Sequence, residues 1–359
     1  MEAILLVGGK GSRLYPVTEH TPKPMVPTAG VPFLAHQLGR ARAAGVDHVV
    51  LATSYLAEVF EPYFGDGADF GLRITYVHEA EPLGTGGAIR NAATALSCGP
   101  DEPVLVFNGD ILTGLDIAAL VEHHRVARAD VSLHLTRVED PSAFGLVPTD
   151  AAGRVLAFTE KPDRPEEIVT DQVNAGCYVF RRSVIATIPA GRPVSVERET
   201  FPGLLASGAL LHGVVDQTYW LDLGRPAALI QASADLVRGV VPSPALPGRV
   251  GEYLILPGAH VDDGAKLLGG TVVGEGVHIA ADAVVDGSIV LDGARIEAGA
   301  YIRSSLVGAG ARVGSRTVLE NAVIGDQAEI GGDNELLAGV RVRGRASIPD
   351  GTIRFSSKS

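Results

Sequence analysis

Short apolar runs closed by turn residues alternate with helix-spaced apolar positions through the first two thirds of the chain. Residues 3–7 form a strand-like run stopped by Gly8-Gly9, and residues 32–44 carry helical spacing, with Pro32 at the start and Gly45 past the end. Residues 46–52, 72–77 and 104–107 read as further strands, with helices predicted over 55–64 and 86–96. Strands follow at 129–137, 154–160 and 174–180, and a last helix at 229–237. The alternation predicts a parallel α/β sheet. Ligands of such sheets sit at the carboxyl ends of the strands, where the glycine turn after Val7 and Asp110 after Phe107 both fall.

Residues 240–247 hold too many prolines for a regular element and read as a linker. Beyond it the apolar period changes to six. Ile255, Val261, Leu267, Val273, Ile279, Val285 and Leu291 share that spacing; after two slips of one residue, Val318, Ile324, Ile330, Leu336, Val342 and Ile348 resume it. A period of six predicts a parallel β-helix, at ~18 residues per coil about five or six coils. The expected domains are 1–239, a linker at 240–247, a β-helix at 248–349 and a tail at 350–359.

The length of 359 residues suits two domains, and the 44 glycines serve the corners a β-helix needs. A formal charge of -12 opposes nonspecific attraction to nucleic acid or an anionic membrane, so any phosphorylated ligand requires a local cationic cluster. Cys98 and Cys177 are too few for a disulfide framework or a zinc site. Without a basic leader or a long apolar stretch, the chain is expected to be cytoplasmic.

The segment from Leu5 to Pro16 carries the most chemistry. A glycine-rich turn after a strand aims backbone N–H groups into one concavity, and Arg13 and Lys23 can add charge-assisted bonds to the same anion. A dinucleotide-binding G-x-G-x-x-G would need glycine where Leu14 stands, and the Gly-Lys-Ser/Thr ending of a Walker loop is absent. A tight turn with two surface cations is the alternative.

The pattern Gly8-Gly9-x-Gly11-x-Arg13-Leu14-x-Pro16 with Pro22-Lys23-Pro24-Met25 resembles the signature of sugar-phosphate nucleotidyltransferases. The resemblance extends through Glu81-Pro82-Leu83-Gly84-Thr85-Gly86-Gly87, Phe107-Asn108-Gly109-Asp110, Phe144-Gly145, Glu160-Lys161-Pro162, Asn174-Ala175-Gly176 and Trp220-Leu221-Asp222-Leu223-Gly224. With the hexapeptide repeats behind it, the chain looks most like the mannose-1-phosphate guanylyltransferases and their close relatives. Ser12 stands where many relatives have Thr, and Arg225 where Thr is commoner. The resemblance implies a Rossmann-like nucleotidyltransferase domain with a mixed, mostly parallel sheet, followed by a left-handed parallel β-helix of hexapeptide repeats.

It also implies a reaction in which a sugar 1-phosphate attacks the α-phosphorus of a nucleoside triphosphate and pyrophosphate leaves. The nucleophile is already an anion, so no general base is needed, and catalysis rests on positioning and charge neutralisation. By resemblance Asp110 and Asp222 bind Mg²⁺, Arg13 and the glycine loop cradle the triphosphate, and Lys23 neutralises developing charge. Leu6, Gly8, Gly9, Gly11, Ser12, Glu79, Pro82, Gly84 and Thr85 line the expected nucleotide side. Asn108, Gly145, Glu160, Lys161, Asn174 and Glu197 line the sugar-phosphate side.

Glu79 stands where thymidine- and uridine-using relatives resemble one another in having Gln. An ionised carboxylate only accepts hydrogen bonds and so suits the N1–H and N2–H₂ donors of guanine, which favours GTP with mannose 1-phosphate. The alternatives are glucose 1-phosphate with dTTP, UTP or ATP, an acyltransferase using His278, and a regulatory subunit that binds nucleotide sugars without turnover. Stacked coils with open ends favour a homo-oligomer.

Overall fold

In the computed structural model, which describes residues 1–9 and 11–354, nine strands form one mixed sheet. They are β1 (Glu2–Leu6), β2 (His48–Thr53), β3 (Arg73–His78), β4 (Pro103–Asn108), β5 (Val131–Arg137), β6 (Gly145–Leu146), β7 (Thr159–Glu160), β8 (Gln172–Arg181) and β9 (Leu211–Val215). The order is β7-β6-β8-β4-β1-β2-β3, with β5 beside β8 and β9 beside β5. β1 pairs in parallel with β2 and β4, and β2 with β3, while β8 runs antiparallel to β4 and β5. The parallel part is a Rossmann-like half sheet, as expected, and β8 converts it to a mixed one. Its fully buried positions include Ile4, Val50, Val106, Leu133 and Tyr178, and Phe201 of the helix Phe201–Ala206 packs with them.

These strands belong to a unit made of Met1–Gly9 and Gln37–Trp220; a second unit holds Lys10–His36 and Leu221–Ser359. The expected helix over 55–64 is a 3-10 turn, Ala57–Val59, and one short helix, Glu61–Phe64, because Leu56 adopts a left-handed conformation that breaks the spiral. Only Thr159–Glu160 of the expected strand over 154–160 pairs as a strand; Arg154 and Val155 make isolated bridges. A further helix, Ile117–Ala127, lies outside the elements expected from the apolar pattern, and Asp116 caps it by accepting from the Ala119 N–H at 2.9 Å.

In the second unit, the repeats build three parallel sheets of six, six and five strands, the arrangement of a left-handed parallel β-helix. The period-six residues from Val273 to Val285 and from Ile324 to Val342 point into its core. Leu291 and Val318 are corrections: the inward residues there are Val290 and Leu319, because three steps are five residues long, from Val285 to Val290, Ile302 to Val307 and Leu319 to Ile324. Those shortened corners bury hydroxyls in a ladder. Thr271 Oγ1 accepts from Ser288 N–H at 3.3 Å, Ser288 Oγ from Ser305 N–H at 3.1 Å, and Ser305 Oγ from Ala322 N–H at 3.0 Å. Each corner amide, cut off from water, is thereby paired by the coil before it.

Residues 240–247 contain no helix or strand, yet they are anchored. The buried His36 ring lies 2.6 Å from Ser243 Oγ and 2.8 Å from the Thr28 carbonyl. Ser233 Oγ accepts from the Ala29 N–H at 2.9 Å. Among the described residues no helix is long and apolar enough to cross a membrane. Of the expected tail, residues 355–359 lie outside the described residues.

At the amino edge of the sheet, the buried Glu2 carboxylate lies 2.6 Å from His48 Nδ1 and accepts from the N–H groups of Ser97 at 2.8 Å and Cys98 at 2.7 Å. Burial pushes this carboxyl up, but these partners outweigh it and hold it at about 2, against an ordinary 4.5. A folded value below the unfolded one stabilises the fold above pH 4.5, and the contribution is lost as pH falls toward 2. Glu2→Gln is expected to cost about 2 kcal/mol in denaturant titrations at pH 7, and the gap to the parent should narrow below pH 4.5.

Candidate active site

Three strands of the first unit deliver candidate residues to one carboxyl edge. β1 leads into Val7-Gly8-Gly9, β3 into Glu79, and β4 into Gly109-Asp110. The register sets Leu6 beside both Ala52 and Asn108, and Thr53 beside His78, so these strands end nearly level. Ser54 Oγ donates to the Gly8 carbonyl at 2.6 Å, and the Gly109 N–H to the Leu6 carbonyl at 3.0 Å, which fixes the two turns. The carbonyl of Asn108 accepts from Gln37 Nε2 at 2.9 Å.

Glu79 is buried, and its Oε2 accepts from the Leu83 N–H at 3.0 Å. Burial raises its carboxyl, opposed by that N–H and by His78. This bond shapes the turn that brings exposed Pro82 and Gly84 to the start of the helix Gly84–Ala92. The glycines of that motif serve packing: the N–H groups of Gly86 and Gly87 donate to the Val194 carbonyl at 2.8 and 3.2 Å. Thr85 Oγ1 accepts from the Val196 N–H at 2.9 Å and donates to Glu197 Oε2 at 2.7 Å.

β6 and β7 set Gly145 opposite Glu160. Burial raises the Glu160 carboxyl, and the charge of Glu197 raises it further, against the pull of Lys161 and Arg198. Lys161 Nζ lies 3.5 Å from Glu160 Oε1, with most of its side chain in solvent. Asn174 spends both ends of its amide inside the unit, donating to Tyr178 Oη at 2.7 Å and accepting from the Gly176 N–H at 3.1 Å. The Phe144 ring meets Trp220 edge to face at 5.4 Å, and Trp220 Nε1 donates to the Ala175 carbonyl at 3.0 Å. These two rings and Ser54 received no role from the sequence. The single tryptophan, in Trp220-Leu221-Asp222-Leu223-Gly224, is the available signal; a serine one residue past a strand gives none.

The second unit carries the cations and a carboxylate. Gly11 is left-handed, with φ 61°, which glycine adopts without steric cost, and it starts the 3-10 turn Ser12–Leu14. Its carbonyl accepts from Leu14 N–H at 2.8 Å and Thr18 Oγ1 at 2.9 Å, while buried Leu14 anchors the turn and Ser12 and Arg13 remain exposed. A side chain at Gly224 would come within 2.5 Å of Arg13 Nη2, so glycine there lets the guanidinium lie against the backbone. Lys23 is buried, with Nζ 3.7 Å from Asp222 Oδ1, and the same oxygen accepts from the Gly224 N–H at 2.8 Å. Arg13, Lys23 and Asp222 thus share one corner, held by Gly224.

His260 and His278 stack on successive coils, with their Nε2 atoms 3.0 and 3.2 Å from Asp262 Oδ1. A similar outward pair recurs along this face between Arg312 and Glu297, at 2.9 Å.

The nucleotidyl transferase family profile matches residues 2–239, and the GMPPB C-terminal domain profile matches residues 249–354. The chain is 56% identical over 358 residues to a mannose-1-phosphate guanylyltransferase of Mycobacterium tuberculosis, covering 99% of this chain and 98% of that one. It is 35% identical over 293 residues to mannose-1-phosphate guanylyltransferase 1 of Arabidopsis thaliana, covering 80% and 78%. Among solved structures, HddC of Yersinia pseudotuberculosis complexed with GMP-PN is similar at TM-score 0.56 and 27% identity, covering 66% of this chain and 99% of that one.

Proposed function

The chain belongs to the nucleotidyl transferase family, and from that membership we propose that it forms GDP-mannose and pyrophosphate from GTP and mannose 1-phosphate. The observation that carries the substrate pair is the 56% identity, over nearly the whole of both chains, to a mannose-1-phosphate guanylyltransferase. The relative HddC, complexed with GMP-PN, supports a guanine nucleotide.

A phosphate oxygen of mannose 1-phosphate attacks the α-phosphorus of GTP; the new P–O bond forms as the bond to the β-phosphate oxygen breaks, and pyrophosphate carries the electron pair away. No proton moves in this step, so the protein's task is to align two anions and offset their charge. The exposed Arg13 guanidinium binds triphosphate oxygens, and the buried Lys23 ammonium offsets the charge that builds up in transfer. Lys161 binds the sugar phosphate, and Glu160 and Glu197 accept hydrogen bonds from sugar hydroxyls. Asn174, its amide already engaged, acts by holding the turn at Ala175 and Gly176.

The family generally uses a divalent metal. Asp110, at the end of β4, and Asp222, oriented by the Gly224 N–H, supply the hard oxygen donors that suit Mg²⁺, and we propose each as a ligand. When bound, the cation would lower the repulsion between phosphates.

Glu79 selects the base. The Leu83 N–H engages one of its carboxylate oxygens, and acceptor-only chemistry matches guanine's N1–H and N2–H₂. A Gln can still accept from Leu83 while adding a donor that guanine's N1–H opposes. Glu79→Gln is therefore expected to lower the kcat/KM ratio of GTP to UTP or dTTP by on the order of 10-fold, through differential transition-state binding. An unchanged ratio would remove Glu79 from base recognition.

The reading itself is tested by pyrophosphate release with Mg²⁺ across five nucleoside triphosphates and the 1-phosphates of mannose, glucose and N-acetylglucosamine. GTP with mannose 1-phosphate is expected to dominate. Lys23→Met should lower its kcat on the order of 100-fold, the scale of losing one preorganised charge. Asp110→Ala and Asp222→Ala should each raise the Mg²⁺ needed for half-maximal rate. Turnover dominated by another pair would overturn the substrate assignment.

A further inference from the structure

The outer face of one β-helix sheet carries a column whose last member breaks the pattern. Register aligns Leu254, Val272, Ile289, Leu306, Val323 and Arg341 on successive coils. The first five are aliphatic and buried, and they alternate with residues such as Val273, Val290, Val307 and Ile324 that fill the interior. Being buried on the outward side, they are a docking seam: Leu254 packs against Gly30, and the helix Pro226–Val237 lies on the strand Thr271–Val273. In the sixth coil the seam ends in an arginine.

Arg341 Nη1 donates to the carbonyl of Arg13 at 2.8 Å and to that of Tyr15 at 3.1 Å. These two carbonyls flank the end of the 3-10 turn Ser12–Leu14, whose other carbonyls are used within the loop: Gly11 O by Leu14 N–H, Ser12 O by Tyr15 N–H and Leu14 O by Val17 N–H. A helical turn leaves its last carbonyls without internal donors and places partial negative charge there, which a guanidinium satisfies. Fixing the Arg13 carbonyl fixes the direction in which the Arg13 side chain leaves the backbone, toward Gly224 and Asp222.

We infer that Arg341 is a positioning residue for the reaction, a latch by which the last coils of the β-helix hold the phosphate-binding loop and aim Arg13. This rests on the reading of Arg13 as a triphosphate ligand. Both of these hydrogen bonds go to backbone, so Arg341 acts on the nucleotide through Arg13 and has no part in sugar recognition. It is exposed, and solvent screening limits its effect.

The test uses full-length Arg341→Ala, Arg341→Lys and Arg345→Ala. Arg345 is a control: it is a nearby exposed arginine whose bond, to Gln327 Oε1 at 3.0 Å, stays inside the β-helix. Arg341→Ala is expected to weaken GTP, in KM and in equilibrium binding, by about fivefold to tenfold, the scale of a charged hydrogen bond partly exposed to solvent. KM for mannose 1-phosphate and the melting temperature should stay at parent values. Arg341→Lys should recover part of the loss, since one ammonium can reach a carbonyl without the planar fork, and Arg345→Ala should behave as the parent. Unchanged GTP binding and KM in Arg341→Ala would overturn the latch, and so would an equal loss for both substrates with a lowered melting temperature. A parent inactive with every substrate pair, whose GTP binding still weakens in Arg341→Ala, would retain the latch while removing the proposed activity.

Discussion

Two phosphate-bearing anions repel each other, and a chain carrying a formal charge of -12 adds to that repulsion unless cations are concentrated where the anions meet. Most of the site follows from this constraint. Lys23 is buried, where an ammonium is costly without a partner, and the Asp222 carboxylate at 3.7 Å makes that placement tolerable. Arg13 is exposed but has its backbone fixed on both sides of the turn and its guanidinium set against Gly224. In the proposed reaction a buried, paired cation and an exposed, aimed one would divide the work: the first need not reorganise as charge develops, and the second can meet an incoming phosphate.

The two units carry different candidate residues. In the first, parallel strands ending nearly level bring a glycine turn, the Glu79 carboxylate and Asp110 to one edge, and β8 adds an antiparallel extension beside which lie the residues proposed for the sugar. In the second, the β-helix is a ladder whose shortened corners are paired by buried hydroxyls and whose outer seam packs on Gly30 and the helix Pro226–Val237. Arg341, on the last coils, bonds the Arg13 and Tyr15 carbonyls, so the repeat domain holds the turn that carries the proposed triphosphate ligand Arg13.

The sequence made some of this legible for physical reasons. A buried strand flanked by glycine turns leaves a local trace, so β1, β2, β3 and β4 were found to within two residues at each end. A period of six reports the inside of a coil, so the core of the β-helix was readable in the middle coils where the steps were six residues long, while Ile255, on the open first coil, is exposed. The period failed at Leu291 and Val318, because a five-residue corner is announced only by hydroxyls such as Ser288 and Ser305, whose partners lie one coil away. The hydrogen bonds of Asn174 to Tyr178 and Gly176 are contacts that a motif cannot display. Arg341 was invisible for the same reason: its significance lies in the aliphatic column it interrupts and in two carbonyls more than three hundred residues earlier in the chain.

The central claim is that the sugar phosphate's own oxygen attacks the α-phosphorus, with the protein supplying alignment and charge. Turnover of GTP with mannose 1-phosphate carrying ¹⁸O in its nonbridging phosphate oxygens, followed by ³¹P NMR of the isolated nucleotide sugar, tests this directly. The account predicts that the GDP α-phosphorus resonance is shifted by one directly bonded ¹⁸O, now the bridge between the two phosphates. An α-phosphorus bearing only ¹⁶O, with the bridge supplied by the nucleotide, would contradict it.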